Sequence, residues 1–279
     1  MPDIAYVNGR FVPLEAAVVS IEDRGFQFGD GVYEVIRTYH GRPFALDAHL
    51  ARLERSAQAL RLSLGHSIAE WVSLIHEGLE RSRFPETKIY LQVTRGQAPR
   101  DHPFPGNAPP TTVLTFRAFH PLSSAVRMAG VDAITHDDIR WGRCDIKSVN
   151  LLANVLARQR AKEAGVFEAI LVRDGRVTEG SVSNVMVMRD RVLQTAPEGP
   201  SILSGVTRAL VLELARKEGM AVVEQFVTAA DLLTASEVFL TGTTVEILPV
   251  VRVDGRVIGT GSPGPVATRL SKCWETLCG

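Results

Sequence analysis

The sequence predicts an α+β fold in two domains, a smaller N-terminal α/β domain and a larger β-rich C-terminal domain. The chain has 279 residues, which leaves room for two domains of moderate size. Its first half shows a hairpin, a strand, two helices, a strand, a loop and a strand, a succession typical of an α+β domain. The stretch His120-Pro121-Leu122-Ser123-Ser124 then has the composition of a linker. We therefore expect domains at residues 1–119 and 126–279, joined by a linker at 120–125.

The composition is that of an ordinary globular protein, with 45% hydrophobic and 22% charged residues. Lys plus Arg number 31 and Asp plus Glu also 31, so no net field would attract nucleic acid or a membrane surface. No apolar run approaches the roughly 18 residues of a spanning helix, and the start MPDIAYVNGR lacks the pattern of a secretory signal. The cysteines, Cys144, Cys273 and Cys278, show neither metal-ligand spacing nor a disulfide framework. These features predict a cytoplasmic protein without a metal site, a nucleic-acid partner or a membrane partner.

The first elements are predicted from alternation and turn residues. Asn8-Gly9 between two short apolar stretches is a strong hairpin signal. Residues 22–31, EDRGFQFGDG, contain three glycines and are either an ordinary connecting loop or a set of tight turns around a site. Residues 32–39 alternate at about period two and predict a strand.

Capping residues predict the two helices of the N-terminal domain. Asp47 can cap the first helix, and Ser67 with Glu70 three residues later has the pattern of a capping box for the second. The elements predicted after residue 47 are a helix from Ala48, a helix at 67–83, a strand at 88–95, a polar, proline-rich loop at 96–110 and a strand at 111–119.

The C-terminal half predicts a mixture of strands and helices. Leu151, Leu152, Val155 and Leu156 have the spacing of an apolar helical stripe, and Gly165 is a stop signal for that helix. The other predicted elements are strands at 126–135, 185–188, 192–195 and 237–240, a hairpin at Asp174-Gly175, a helix that runs through Lys217 to Gly219 and a short helix capped at 228–231.

Lys147 stands just before the first of these helices, in the stretch WGRCDIKSVNLLAN. A residue at an element boundary can point its side chain into a cleft. Most lysines are solvated surface residues, and this is the simplest interpretation of Lys147. The alternative is a lysine that forms a Schiff base with a carbonyl cofactor or substrate. The stretch alone does not decide between the two.

Two further stretches carry the donors of a phosphate site. Gly205-Val206-Thr207 opens a helix, and a helix N-terminus offers N–H groups and a partial positive charge. Thr241-Gly242-Thr243-Thr244 follows a strand and adds N–H and hydroxyl donors. Each could equally be a plain N-cap or turn. Neither matches a nucleotide-binding motif, so a nucleotide is not indicated.

Together these stretches resemble the fold-type IV pyridoxal-phosphate-dependent aminotransferases, and within them the D-amino-acid (D-alanine) aminotransferases. The resemblance covers nearly the whole chain and implies the two-domain fold of that family. The motifs that carry it are, in chain order, EDRGFQFGDGVYEV, HLARL, IYLQVTRG, RDH, IRWGRCDIKSVNLLA, EAILVRDGRVTEGSVSN, ILSGVTR and TGTTVEILPV. The succession of all of them is far more specific than any one.

The resemblance implies which residues hold pyridoxal 5′-phosphate. Lys147 of the IKS motif would form the Schiff base, so the C-terminal domain would carry the cofactor. Glu179 of the TEG turn would pair with the pyridine nitrogen and keep it protonated, which makes the ring an electron sink. Arg52 of HLARL would bind the phosphate. The other cofactor-binding residues that the resemblance implies are Ser181, Leu203 against the ring face, and Val206, Thr207, Gly242 and Thr243 around the phosphate.

The resemblance also implies a site for the substrate carboxylate. In D-amino-acid aminotransferases an arginine, a histidine two residues later and a tyrosine form this site, and here they correspond to Arg100, His102 and Tyr33. Arginine suits the role because its rigid fork matches a carboxylate. Taken alone, Arg100-Asp101-His102 would favour a solvated loop.

The implied reaction is a ping-pong transamination between a D-amino acid and a 2-oxo acid such as 2-oxoglutarate, with Lys147 as base and acid and with a homodimer as the assembly. Branched-chain L-aminotransferases, aminodeoxychorismate lyases and (R)-amine transaminases of the same fold remain alternatives. The first two lack the Arg-x-His pair. A cofactor-binding module without catalysis is the alternative from another class, and the presence of both Lys147 and Glu179 argues against it.

Overall fold

The computed structural model describes residues 3–279, which fall into two compact units. Unit 1 comprises the residues up to His120 together with Ile146–Asn150, and unit 2 comprises Pro121–Asp145 and Leu151–Gly279. The predicted boundaries at 119 and 126 stay a prediction. The contacts add one feature that those boundaries lack, because the five residues around Lys147 group with unit 1.

Unit 1 contains a six-stranded sheet and three α-helices. Its strands are β1 (Ile4–Val7), β2 (Arg10–Pro13), β3 (Gly31–Tyr39), β4 (Arg42–Pro43), β5 (Thr87–Thr94) and β6 (Thr111–Ala118). Its helices are α1 (Arg24–Phe28), α2 (Leu46–Ala59) and α3 (Ile68–Ser82), with a 3₁₀ turn at Leu14–Ala16. The strands run in the order β2-β1-β6-β5-β3-β4, and every neighbouring pair is antiparallel. The predicted hairpin at Asn8-Gly9 is confirmed, because it joins β1 to β2.

The core of unit 1 lies where α2 and α3 cover one face of this sheet. Leu53 of α2 and Trp71 of α3 are fully buried there with Ile36 and Phe116 from the strands. The predicted capping box at Ser67 is confirmed by both of its hydrogen bonds. The predicted cap at Asp47 is wrong, since α2 begins one residue earlier and Asp47 lies in its first turn.

The glycine-rich segment 22–31 forms a short helix rather than a loop. Asp23 caps α1 by accepting a hydrogen bond from the N–H of Gly25 at 2.8 Å. Gly29 ends the helix in a left-handed conformation with φ 67°, which glycine adopts without strain. The number of glycines indicates turns, whereas the capping aspartate and the C-terminal glycine are the signals of a helix.

Unit 2 contains a nine-stranded mixed sheet and five α-helices. Its strands are β7 (Val131–Asp137), β8 (Glu168–Arg173), β9 (Arg176–Gly180), β10 (Asn184–Arg189), β11 (Val192–Thr195), β12 (Ala221–Glu224), β13 (Glu237–Gly242), β14 (Glu246–Val253) and β15 (Arg256–Val257). Its helices are α4 (Ser124–Ala129), α5 (Leu152–Glu163), α6 (Val206–Lys217), α7 (Ala229–Leu233) and α8 (Pro265–Cys278). The order is β12-β11-β10-β13-β14-β7-β8-β9, with β15 on β14. The predicted α+β architecture with a larger β-rich C-terminal part is confirmed.

Three predictions for this half are corrected. Residues 126–129 belong to α4, since Ser123 caps a turn of helix that Gly130 ends, so the strand begins only at Val131. Strand β13 continues through Gly242 instead of ending at residue 240. The third correction concerns α5, whose buried residues are Ala157 and Ala161, whereas most of the predicted apolar stripe is exposed.

The structure also bears on membrane association. No helix within residues 3–279 is both long enough and apolar enough to cross a membrane.

Candidate active site

Lys147 lies on an extended segment that runs beside β3 in unit 1. The N–H of Tyr33 donates to the carbonyl oxygen of Lys147 at 3.0 Å, and the N–H of Val149 donates to that of Gly31 at 3.1 Å. The N–H of Lys147 itself donates to Oγ of Ser56 on α2 at 3.1 Å. The backbone at Lys147 is therefore held by both a strand and a helix, which fixes where its side chain starts.

The side chain of Lys147 is half-buried against aromatic groups. Its Nζ lies 4.3 Å from the centroid of the Tyr33 ring, a cation–π distance. Tyr33 in turn stacks on Tyr90 with ring centroids 5.7 Å apart. This environment differs from that of a solvated surface lysine, and it brings two of the predicted site residues, Lys147 and Tyr33, into contact.

Arg52 belongs to a buried charge cluster formed by α2 and β3. Its Nε and Nη2 donate to the two carboxylate oxygens of Glu34 at 2.7 and 2.8 Å, a bidentate pair. His49, three residues earlier on the same face of α2, has Nδ1 2.8 Å from Oε2 of Glu34. The guanidinium plane of Arg52 is thus fixed by a carboxylate that is fully buried.

Charge in this cluster is controlled by burial and pairing. Burial would raise the pKa of Glu34, but the charge and hydrogen bonds of Arg52, together with His49, lower it to about 2. Burial lowers the pKa of His49, against the opposing effect of Glu34, so Nδ1 of a neutral His49 donates to the carboxylate. Glu34 therefore stays ionised beside an arginine that is always charged.

The predicted carboxylate-binding residues Arg100 and His102 are exposed side chains on the loop between β5 and β6. The Nη1 of Arg100 donates to the carbonyl oxygen of Gln27 at 3.2 Å, and its guanidinium lies 4.6 Å from the centroid of the Phe28 ring. The His102 ring is 5.4 Å from the same ring. The structure therefore brings Arg100 and His102 together on Phe28, and it places Tyr33 beside Lys147.

Glu179 is a buried carboxylate near the end of β9 in unit 2. The side-chain amide of Asn184 donates to its Oε2 at 3.0 Å, and the N–H of Leu203 donates to both oxygens at 3.1 and 3.2 Å. Nη1 of Arg140 donates to Oε1. Because these groups stabilise the negative form, Glu179 has the surroundings of an ionised carboxylate that can pair with a cation.

Arg140 links Glu179 to a second buried carboxylate, Asp138. Its Nε and Nη2 donate to the oxygens of Asp138 at 2.8 Å each. Burial would lower the pKa of Arg140, but its bonds to Asp138 and the charge of Glu179 raise it. Burial would likewise raise the pKa of Asp138, and Arg140 together with the Thr178 hydroxyl lowers it. One guanidinium thus serves two carboxylates and sets the position of Glu179.

The turn after Glu179 is fixed from below by Glu168 at the start of β8. The hydroxyl of Ser181 donates to Oε1 of Glu168, and that of Ser183 donates to Oε2 at 2.8 Å. Asn154 on α5 donates its amide to the carbonyl oxygen of Ser181 at 2.8 Å. Ser181 is therefore a buried part of the turn that carries Glu179. Its predicted position beside the cofactor stays a prediction.

The predicted phosphate donors of unit 2 lie at the start of α6 and the end of β13. Val206 and Thr207 form the first turn of α6, and Gly205, its N-cap, supplies no side-chain cap. Gly242 ends β13, and Thr243 follows it in a turn. The first N–H groups of α6 thus have no side-chain cap, as an anion-binding helix end requires.

An unpaired polar atom tests whether a cofactor fits this region. Thr241 is the register partner of Asn184 on β10, so the two side chains share a face of the sheet. Its Oγ1 is buried and has no hydrogen-bond partner within residues 3–279. A buried hydroxyl without a partner points to a missing polar ligand, and this one lies next to the residue that holds Glu179. The donors of unit 2 therefore fit an anionic ligand with a ring nitrogen.

Sequence reasoning missed the residues that support the site. Glu34, Arg140 and Asn184 were not identified, although each lies within a motif that carries the resemblance. Glu34 had one further signal, since it is the charged residue in the middle of an otherwise apolar strand. A buried charge of this kind requires a partner, and the arginine and histidine of α2 are the partners it has.

Comparisons with known proteins agree with this arrangement. The family model of class IV amino-transferases matches residues 31–253. A D-alanine aminotransferase of Bacillus licheniformis is 50% identical over 260 residues, which cover 93% of this chain and 91% of that protein.

Solved structures give the same result at the level of the fold. The branched-chain amino acid aminotransferase of Escherichia coli superposes with a TM-score of 0.92 at 28% identity, over 99% of this chain and 95% of that one. A second branched-chain enzyme, that of T.th., was solved with pyridoxamine 5′-phosphate and gives 0.91 at 31% identity, over 100% and 94% of the two chains.

Proposed function

This chain belongs to the class IV aminotransferases, which are pyridoxal-phosphate-dependent enzymes, and from that premise we propose that it is a D-amino-acid transaminase. It transfers the amino group of a D-amino acid of the D-alanine type to a 2-oxo acid such as 2-oxoglutarate. The observation that carries this choice is the 50% identity with a D-alanine aminotransferase over 93% of the chain. The branched-chain enzymes are close in fold but less similar in sequence, at 28% and 31% identity.

Lys147 is the residue that carries the cofactor and moves the proton. When bound, pyridoxal phosphate supplies an aldehyde that condenses with amines and a ring that stabilises negative charge at the substrate α-carbon. The Nζ of Lys147 attaches the cofactor, is displaced by the substrate amine and then takes the proton from the α-carbon as a general base. The backbone hydrogen bonds to Tyr33 and Ser56 support this role, because they fix the origin of a long side chain.

Glu179 holds the proton on the ring nitrogen of the cofactor. A carboxylate there must stay ionised, and its bonds from Arg140, Asn184 and the N–H of Leu203 favour the ionised form. The position of Leu203, with its N–H on Glu179, supports its predicted role against the ring face.

The phosphate is assigned to an arginine and to the donors of two elements. Arg52 supplies the permanent charge, and its bidentate bond to Glu34 keeps the guanidinium in one orientation. The N–H groups of Val206 and Thr207 and the donors of Gly242 and Thr243 complete the set, with Ser181 near them. Helix α6 supports this assignment because the positive end of its dipole lies at Val206.

The α-carboxylate of the substrate is assigned to Arg100, His102 and Tyr33. The two loop residues share contacts with Phe28, so they can act together on one anionic group. An anchor for the carboxylate determines which face of the α-carbon carries the proton toward Lys147. The donor enantiomer would therefore depend on this loop.

A homodimer and a cytoplasmic location complete the proposal. Leu152, Val155 and Leu156 form an apolar face of α5 that is 74%, 58% and 49% exposed within this chain. A contiguous apolar face on a water-soluble enzyme indicates a protein interface. The three cysteines are free thiols, as expected in a reducing compartment.

A donor comparison tests the reaction. Purified enzyme is supplied with 2-oxoglutarate and with D-alanine, L-leucine or a simple chiral amine in turn, and formation of the oxo product is followed. We expect D-alanine to have the highest kcat/KM. Preference for L-leucine would instead assign the chain to the branched-chain enzymes, and preference for the amine would assign it to the amine transaminases.

A lysine substitution tests the cofactor assignment. Lys147→Ala should abolish turnover and the visible absorbance of the lysine-bound cofactor, while the fold persists. The matched control is Lys162→Ala, which truncates an exposed lysine on α5 and should leave both unchanged. Steady-state turnover by Lys147→Ala at the wild-type rate would refute the assignment.

A further inference from the structure

The loop that carries Arg100 and His102 needs support from outside itself. Residues between β5 and β6 contain no helix and no strand, and both side chains are exposed. A flexible loop of this length would spread its side chains over many positions. An anchor for a substrate carboxylate has to keep its donors fixed, because a displacement of about 1 Å can reduce a rate about 10²-fold.

Arg24 on α1 binds the backbone of this loop. Its Nη1 donates to the carbonyl oxygen of Asp101 at 2.5 Å, and its Nη2 donates to that of His102 at 3.1 Å. The side chain is only 4% exposed, so these bonds are shielded from water. One guanidinium therefore holds the two consecutive residues that follow Arg100.

Asp30 in turn fixes the guanidinium of Arg24. The Nε of Arg24 donates to Oδ2 of Asp30 at 2.9 Å. Arg95 donates its Nε to the same oxygen at 2.8 Å and its Nη2 to Oδ1 at 3.0 Å. Arg95 reaches a different part of unit 1, because its other bonds are to the carbonyl oxygens of Leu60 and Arg61 at 2.8 and 2.9 Å. Asp30 thus joins the loop to the end of α2.

Phe28 supplies the second surface that holds the loop. The guanidinium carbons of Arg24 and Arg100 lie 4.8 and 4.6 Å from its ring centroid, and the His102 ring lies 5.4 Å away. The side chains of Arg100 and His102 therefore rest on a ring that Arg24 also contacts. Any shift of Arg24 would disturb both the backbone and the support of these side chains.

We propose that Arg24 is a positioning residue for substrate binding, which sets the place of Arg100 and His102 by holding the carbonyl groups of residues 101 and 102. The inference rests on the proposed function, since it assumes that Arg100 and His102 bind the substrate carboxylate. Arg24 does not touch the substrate. Its effect is on substrates that carry a carboxylate, and it sets their KM.

The test compares three arginine variants of the complete holoenzyme. Arg24→Lys keeps the charge but cannot span both carbonyl groups. Arg100→Ala removes the proposed carboxylate donor. Arg95→Lys is the matched control, because it breaks the ion pair with the same Asp30 but leaves the bonds to residues 101 and 102 in place. KM and kcat are measured for D-alanine and for a carboxylate-free amine, with 2-oxoglutarate as acceptor.

We expect Arg24→Lys to raise the KM for D-alanine about tenfold, within the ~10²-fold range for a misplaced group, with a smaller change in kcat. The kinetics with the amine should stay close to those of the wild type. Hydrogen–deuterium exchange of the peptide that covers residues 99–105 should be faster in Arg24→Lys than in Arg95→Lys. If Arg24→Lys does not fold, Asp30→Asn loosens the same guanidinium and should raise the KM in the same direction.

The outcomes separate this inference from the proposed function. Failure of the wild-type enzyme to use D-alanine would refute the proposed function. If the wild type uses D-alanine and Arg100→Ala raises its KM while Arg24→Lys does not, the function stands and the positioning role is refuted. An equal increase in Arg95→Lys, or an equal increase with the amine, would also overturn it, because either result indicates a general structural effect.

Discussion

Arg52 shows how one residue can be fixed before any ligand arrives. Two of its nitrogens are bound to Glu34, so the guanidinium cannot rotate without breaking a buried ion pair. His49 adds a third polar group on the same carboxylate. A phosphate-binding arginine gains from this arrangement because little side-chain entropy is lost when the anion binds.

The Glu34 cluster makes unfolding depend on pH in the acid range. The pKa of Glu34 is about 2 in the folded chain, below its ordinary value of 4.5. The folded state therefore gains stability from ionised Glu34 above pH ~4.5, and this gain is lost as the pH falls toward ~2. Its size is roughly 3 kcal/mol, from about 1.4 kcal/mol for each pKa unit.

A substitution isolates that contribution. Glu34→Gln should lower the free energy of unfolding at pH 7 by about 3–5 kcal/mol, because it leaves a buried arginine without its carboxylate. The difference from wild type should shrink as the pH is lowered below about 4.5. Urea unfolding at several pH values measures it. A difference that does not change with pH would contradict the assigned pKa.

Glu179 offers a test that separates binding from chemistry. Glu179→Gln keeps the shape of the side chain and its bonds from Asn184 and Leu203 but removes the negative charge that faces Arg140. We expect the cofactor to bind still, and α-proton removal to slow by at least ~10²-fold, the lower range for a group that stabilises developing charge. Single-turnover measurements with D-alanine give this rate. A rate equal to that of the wild type would rule out the ring-nitrogen role.

The helices show which local signals were sufficient. The second helix was predicted correctly because Ser67 and Glu70 form a complete capping box, which is a signal within four residues. For α5 the spacing was correct but the interpretation was wrong, since periodicity shows that a face is apolar and does not show what covers it. The same limit applies to α4, where four residues are too few for a periodic signal.

Helix α3 contains a close contact that depends on a glycine. Gly78 faces the sheet, and a Cβ added there would overlap the ring of Phe116. Alanine is the better helix former by ~1 kcal/mol, but overpacking a core costs about 1–3 kcal/mol. Gly78→Ala should therefore lower the free energy of unfolding by about 1 kcal/mol, as measured in urea.

The control for this substitution lies on the exposed face of the same helix. Ser73→Ala introduces the same methyl group at an exposed position, where only helix propensity acts. It should leave stability unchanged or raise it by up to ~0.5 kcal/mol. Stabilisation by Gly78→Ala as well would show that the Phe116 ring moves aside without cost.

For the chain as a whole, the fold class and the family were accessible from the sequence, because several motifs occur in one order. The grouping of residues 146–150 with unit 1 was not, since it depends on long-range contacts such as the bond from Lys147 to Ser56. The partners of Glu179 were hidden for the same reason. Asp138 and Arg140 precede it by about forty residues, and only the pairing of strands brings them together.

The exposed face of α5 leads to the last prediction, which concerns assembly. Leu152, Val155 and Leu156 lie at helical spacing on the side of α5 opposite its buried alanines. Burying three such side chains at an interface contributes several kcal/mol, at about 1.5–3 kcal/mol each. Light scattering of the wild type should therefore give twice the chain mass of 30.4 kDa. Val155→Asp places a charge in this face and should shift the enzyme toward the monomer, whereas Val257→Asp, at an exposed valine on β15, should not. A wild-type monomer with full activity would contradict the homodimer, and equal effects of the two substitutions would move the interface away from α5.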